Sequence, residues 1–305
     1  MLTKEWPLVG YTLLGQTAVG AFWALAVPFV FSRKSGGGGG GSLYLNVRTM
    51  GGIAVLVGFA AALSFFHLGS PFRAVHAMKN LRTSWLSREI LLELVFLFLA
   101  ALIGFLELIK AKRPAFLGGL VILTALSGLA FLYSMAKIYM LDTVPAWQNL
   151  NTPLSFFLSA VILGPLTAVY AVRRIPVGLA LGGRLDNPAY VFHGFASFQS
   201  SAVVVALAAA VVAMLVMFVL TPGVGLLGVK KATLLELPAS NIRLFLMIKL
   251  ALLAAAAALL IMALSRGLAG GSTVDGLLLW ALLSAAAAET VGRFLFYGLC
   301  SRIGV

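Results

Sequence analysis

At 305 residues, 61% hydrophobic and only 10% charged, with a mean hydropathy of +1.05, this chain has far less charge than the quarter or so carried by a soluble domain, which excludes a water-soluble fold. The net charge of +13 does not point to nucleic acid, because the basic residues fall in short loops between apolar runs, where Lys and Arg set orientation and meet anionic headgroups. The lone Cys300 excludes an intrachain disulfide, a Cys-ligated cluster and a zinc site.

A membrane-crossing helix needs about 20 mainly apolar residues. Eight stretches qualify: 8–32, 48–66, 89–109, 115–139, 153–172, 200–220, 244–265 and 276–299. The runs are continuous, without the period-2 alternation of barrel strands. The expected fold is therefore all-α, a polytopic bundle of eight spans forming a single integral membrane domain over 1–305. The first run is too long for a signal-peptide core and has no cleavage site ahead of a soluble body. The Gly36–Gly41 run after it reads as a flexible connector.

Span two ends at His67 and opens the most polar part of the chain. From His67 to Glu89, two His, four Lys or Arg and one carboxylate fall within 23 residues. Polar clusters at the rim of apolar spans are functional candidates by default. The imidazole of His67 can accept a hydroxyl proton and pass it to water. Ser70-Pro71 has the form of an N-cap followed by Pro at the first helical position. It predicts a short surface helix over 71–81 that carries Arg73, His76 and Lys79 among apolar residues.

Span three opens with Glu89, and Glu93 follows one turn later on nearly the same face. Glu107 returns to that face five turns on, about 27 Å away at 1.5 Å per residue. Carboxylates inside a span usually point into the bundle. Glu89 beside His67 suits proton chemistry. Glu93 suits either a proton relay or a structural hydrogen bond, and Glu107 a pairing with Lys110 or Lys112. The loop Tyr139–Trp147 after span four, with its Pro and Trp, predicts an ordered lid or interface anchor. Segments 173–199 and 221–243 are the longer polar connections. Lys249 in span seven is placed to snorkel. Glu289 and Arg293 in span eight have the i,i+4 order of an intrahelical ion pair.

Counting loop Lys and Arg gives ten on each side of the membrane. Setting aside the four between His67 and Glu89 favours both termini on the outer side. Of the three histidines, His67, His76 and His193, none lies mid-span. An axial pair for haem is therefore not expected, and no metal site is expected either.

The string Glu5-Trp6-Pro7-Leu8 with Thr12-Leu13-Leu14-Gly15-Gln16 resembles the N-terminus of the membrane anchor subunit of dimethyl sulfoxide reductase, the DmsC family. So do His67-Leu68-Gly69 with Pro71, Asn80 to Glu89, Thr143 to Trp147, Asn151 to Phe156, and Gly292 to Tyr297 with Arg302-Ile303-Gly304. The resemblance runs in order through both ends, although the glycine run at 36–41 is not a feature of the family. It implies a haem-free, eight-helix anchor in a bacterial or archaeal inner membrane. Such a subunit holds an iron–sulfur subunit with four ferredoxin-like clusters and a molybdopterin catalytic subunit. It oxidises menaquinol in anaerobic respiration, handing electrons to the iron–sulfur partner. The family ties its HLG histidine and the glutamate of its SRE-type motif to the quinol, which here are His67 and Glu89.

On that reading, menaquinol places its head group among His67, Arg73 and Glu89. His67 and Glu89 take the hydroxyl protons, and Arg73 stabilises negative charge developing on oxygen. Glu93 is a possible relay, and Lys79, Arg82 and Arg88 dock the partner subunit. Two alternatives stay open. One is a proton-coupled transporter using Glu89, Glu93 and Glu107, and the other a purely structural anchor whose quinol is handled by another subunit.

Overall fold

The computed structural model describes residues 6–34, 45, 47–67, 80–109, 114–144, 147–174, 203–221, 239–267 and 271–298, with side chains at all of these except 28, 30–34, 47, 65–67, 114, 174 and 239–241. They form eight helices: α1 (Trp6–Lys34), α2 (Val47–His67), α3 (Trp85–Leu108), α4 (Pro114–Tyr139), α5 (Asn151–Arg174), α6 (Val203–Thr221), α7 (Ala239–Ser265) and α8 (Ser272–Gly298). There is no strand among the described residues. Seven helices are long and apolar enough to cross a membrane, and α2 contributes a shorter apolar stretch, Arg48–Ser64.

The helices overrun the apolar runs that mark them, because a helix continues through polar residues until something caps it. Span three was expected from Glu89, yet α3 begins at Trp85. Ser84, in extended conformation, accepts a hydrogen bond from the Ser87 backbone N–H and closes the first turn. Likewise α8 begins at Ser272 and α7 at Ala239, several residues before their apolar cores.

Apolar side chains occupy the outer surface of the bundle as well as its interior. On α3 the buried residues recur at helical spacing (Glu89, Glu93, Phe96, Ala100, Ile103). Leu91, Leu94, Val95, Phe98 and Phe105 face outward, as expected where the surroundings are lipid.

Two apolar cores fill the bundle. The first gathers side chains from α1 to α5 with Tyr297 of α8, and the second gathers α5 to α8. Helix α5 belongs to both. Against α1 it comes into backbone contact: a Cβ on Gly20 would strike the Ala160 carbonyl, and one on Gly164 would strike the Gly20 backbone. Small residues permit this approach, which supplies dispersion contact where lipid removes the hydrophobic drive.

At one end of the bundle, the Met140–Leu150 connection folds against the helix ends. Trp147 donates its indole N–H to the Phe296 carbonyl at 2.8 Å and stacks on the Phe296 ring. Thr152 Oγ1 donates to the Trp147 carbonyl, and the Asn151 N–H donates to Asn149 Oδ1. The sequence-based expectation of an ordered lid falls on this connection, of which Pro145 and Ala146 lie outside the described residues. At the opposite end Arg173 and Asp275 form an ion pair at 2.5 Å.

Candidate functional site

The turn that leads into α3 is held by its own side chains. Arg88 folds back to donate to the Leu81 carbonyl at 2.9 Å and the Arg82 carbonyl at 2.6 Å, with its guanidinium 4.4 Å from the Trp85 ring centre. Arg82 itself is exposed. Of the residues expected to dock a partner, Arg88 thus has several donors engaged in fixing the Leu81–Ser84 turn.

One turn further, Glu89 and Glu93 point into the bundle, 3% and 6% exposed. Tyr11 of α1 donates its hydroxyl to Glu93 Oε2 at 3.4 Å, and Glu89 lies beside the same hydroxyl. Glu93 Oε1 is buried without a hydrogen-bond partner among the described residues. Neither carboxylate is paired there with a cation. An acceptor oxygen in this position is costly unless a donor arrives.

A wall of aromatic rings flanks the carboxylates. Tyr139, at the end of α4, receives a 3.0 Å hydrogen bond from the Tyr297 hydroxyl. Its ring lies 5.5–5.6 Å from those of Trp147, Phe156, Phe296 and Tyr297. Behind this wall is Arg293, 3% exposed. It donates to Gln16 Oε1 at 3.0 Å and Ser159 Oγ at 3.4 Å, with its guanidinium 3.8 Å from the Phe156 ring centre. Ser159 in turn donates to Glu289 Oε2 at 2.5 Å.

Two expectations are corrected here. Glu289 and Arg293 do not close an intrahelical salt bridge: each turns to Ser159 of α5, and Arg293 also to Gln16 of α1, so the charges tie three helices together instead of one helix to itself. Lys249 does not snorkel. It is 7% exposed, and its ammonium lies over Gly292, where a Cβ would come within 2.6 Å of Nζ. Too deep to reach the helix end, it finds room where α8 has no side chain.

The structure therefore brings Glu89 and Glu93 together with Tyr11. His67 is the last residue of α2, with its side chain outside the described residues, as are Arg73, Lys79 and residues 71–79 of the expected 71–81 helix, whose last residue, Leu81, belongs to the turn before α3. Glu107 is half-buried at the far end of α3, and Lys110 and Lys112 lie outside the described residues. Among the described residues no group of three His, Cys, Asp or Glu is placed to hold a metal ion.

Sequence reasoning missed Tyr11, Gln16, Tyr139 and Lys249 as parts of the polar interior. Tyrosine and glutamine on an apolar helix carry no signal of their own. On α8 sequence reasoning took in only Glu289 and Arg293, one turn apart, whereas Tyr297, one turn further on the same face, was not read as part of the polar interior.

The sequence matches the profile of the DMSO reductase anchor subunit (DmsC) family over residues 1–299. It is 34% identical over 174 residues to the YnfH subunit of an anaerobic dimethyl sulfoxide reductase of Escherichia coli, covering 57% of this chain and 59% of that protein. It is 34% identical over 205 residues to the C subunit of the Haemophilus influenzae anaerobic dimethyl sulfoxide reductase, covering 63% and 70%. To the C subunit of the E. coli enzyme it is 33% identical over 163 residues, covering 53% and 55%. The aligned stretch thus spans little more than half of the two E. coli relatives. With the profile matched almost end to end on an all-helical bundle of apolar spans, the chain belongs to the DMSO reductase anchor subunit (DmsC) family.

Proposed function

We propose that this chain anchors an oxidoreductase complex in the membrane and is the complex's quinol-oxidising subunit, with menaquinol as substrate. The partners are an iron–sulfur subunit and a molybdopterin catalytic subunit, the membrane is the cell inner membrane, and both termini lie on its outer side. The observation that carries this reading is the pair of buried carboxylates beside Tyr11, with Glu93 Oε1 lacking a partner among the described residues. A quinol hydroxyl is a donor that such an oxygen lacks, and it reaches the site from lipid.

Oxidation releases two protons and two electrons. Glu89 and His67 accept the protons, with Glu93 passing one onward. Arg73 stabilises the oxygen as its proton leaves. Tyr11 holds the carboxylates in register on α3. The electrons leave one at a time to the nearest cluster of the iron–sulfur partner, and the exposed turn at Arg82, with Lys79, belongs to the docking face.

The test compares menaquinol-analogue oxidation in membranes carrying the whole complex with turnover driven by an artificial one-electron donor to the catalytic subunit. Loss of a general base typically costs 10²–10⁴-fold. Glu89→Gln and His67→Ala are therefore expected to lower the quinol rate about 100-fold or more and to leave the donor-driven rate intact. Quinol rates near wild type in both variants would refute the reading and leave a structural anchor.

A further inference from the structure

A second polar centre lies on the other side of the Arg293–Phe296 partition from Glu89. Between α5, α6, α7 and α8 a pocket opens at the bundle end that carries Asn149, Asn151 and Thr221. Its walls are mainly apolar and aromatic, from Trp147, Leu158, Leu246 and Phe296, and its polar surface is confined to a few groups that include Ser155, Lys249, Glu289 and Arg293. An apolar pocket with a small number of convergent polar groups is the usual form of a small-molecule site.

Two observations show that the polar groups are incomplete. Glu289 is 2% exposed, and its Oε2 is satisfied by Ser159, yet its Oε1 has no hydrogen-bond partner among the described residues. Lys249 lines the same cavity from α7, buried against α8 at Gly292. The pocket thus holds an acceptor oxygen and an ammonium donor in one cavity. Arg293 is already committed to Gln16 and Ser159. Burying an acceptor and a cation this way costs free energy unless a ligand completes them.

We infer that this pocket is a binding site for a lipid-soluble ring bearing oxygen substituents, of the quinol–quinone class, distinct from the Glu89 site. A ring hydroxyl donates to Glu289 Oε1, the Lys249 ammonium donates to ring oxygen, and Phe296 and Trp147 pack against the ring. The chemical class rests on the quinol reading above, whereas the site itself rests on the cavity and its unpartnered carboxylate oxygen.

The experiment is photolabelling of the intact complex in lipid nanodiscs with an azidonaphthoquinone, mapped by peptide mass spectrometry, with and without excess alkyl-naphthoquinol. Label is expected on α8 around 289–297 or on α5 around 152–158, and the competitor should displace it. Lys249→Met and Glu289→Gln should each reduce that label about tenfold. Ser155→Leu, which fills the pocket and leaves every charge in place, should do the same if a charge variant fails to assemble. No label on α5 or α8, label that the competitor does not displace, or wild-type labelling in the assembled variants overturns the site. The Glu89 reading is judged separately. Label confined to α3, with Glu89→Gln inactive, removes the second site alone. Label in the pocket, with Glu89→Gln fully active, removes the Glu89 reading and leaves this one standing.

Discussion

Arg293 serves α1, α5 and α8 at once through Gln16, Ser159 and the ring of Phe156. Removing one member of a buried charged network leaves the rest uncompensated, at a cost of roughly 3–5 kcal/mol. Arg293→Met is thus expected to lower the thermal midpoint of the detergent-solubilised complex markedly, or to prevent its assembly. Asp275→Asn, which breaks the part-buried ion pair with Arg173 at the bundle's opposite end, is expected to cost less, about 1.5–3 kcal/mol. Equal effects in the same unfolding assay would show that Arg293 is not a cross-helix tie. At this scale the sequence was half legible. Glu89, Glu93, Glu289 and Arg293 stand out because charge in a span is expensive. The partners of Arg293 do not, since Gln16 is 277 residues away and only the fold brings them together.

Among the elements, the crossing of α1 and α5 is the contact least tolerant of change. Ala160 and Gly164, one turn apart on α5, present bare backbone to Gly20. Pro165, next along, removes one backbone donor from α5. Gly164→Leu would force the helices apart and is expected to cost about 1–3 kcal/mol or more by overpacking, read as a reduced yield of assembled complex in membranes. Gly119→Leu, with open space around its Cβ position on α4, is the control expected to leave the yield unchanged. The helices themselves were legible from apolar length alone. Their ends were not, because hydropathy ignores caps: Ser84 caps α3 ahead of the apolar run that begins at Glu89. Nor does sequence distinguish the Gly20 and Gly164 contacts from glycines such as Gly51 or Gly58, around which there is open space.

For the whole molecule, the contacts between helix ends fix which ends lie together. The starts of α1, α3 and α5 meet the ends of α4 and α8 through Tyr11–Glu93, Tyr139–Tyr297 and Trp147–Phe296, and Arg173–Asp275 marks the opposite end. The proposed orientation puts the first group outside. In a Cys300→Ala background, Asp142→Cys is expected to react with an impermeant maleimide added to intact spheroplasts, and Arg266→Cys only after the membrane is opened. The reverse pattern would invert the orientation. Charge counting alone left this choice nearly balanced, because the cluster between His67 and Glu89 adds four cations to the outer side.

Among the described residues, the buried charged side chains Glu89, Glu93, Lys249, Glu289 and Arg293 all lie within about 15 Å of the end that carries the Met140–Leu150 connection, at 1.5 Å rise per residue. The remaining depth of the bundle is an insulator. Carrying one elementary charge across a 100 mV membrane potential involves about 2.3 kcal/mol, but under the proposed function a proton released near this end and an electron leaving by the same end would cross little of that drop. Quinol turnover by the assembled complex should therefore proceed at the same rate in sealed vesicles with valinomycin whether a potassium gradient imposes a diffusion potential or potassium is equal on both sides. The subunit would dispose of reducing equivalents without charging the membrane that holds it.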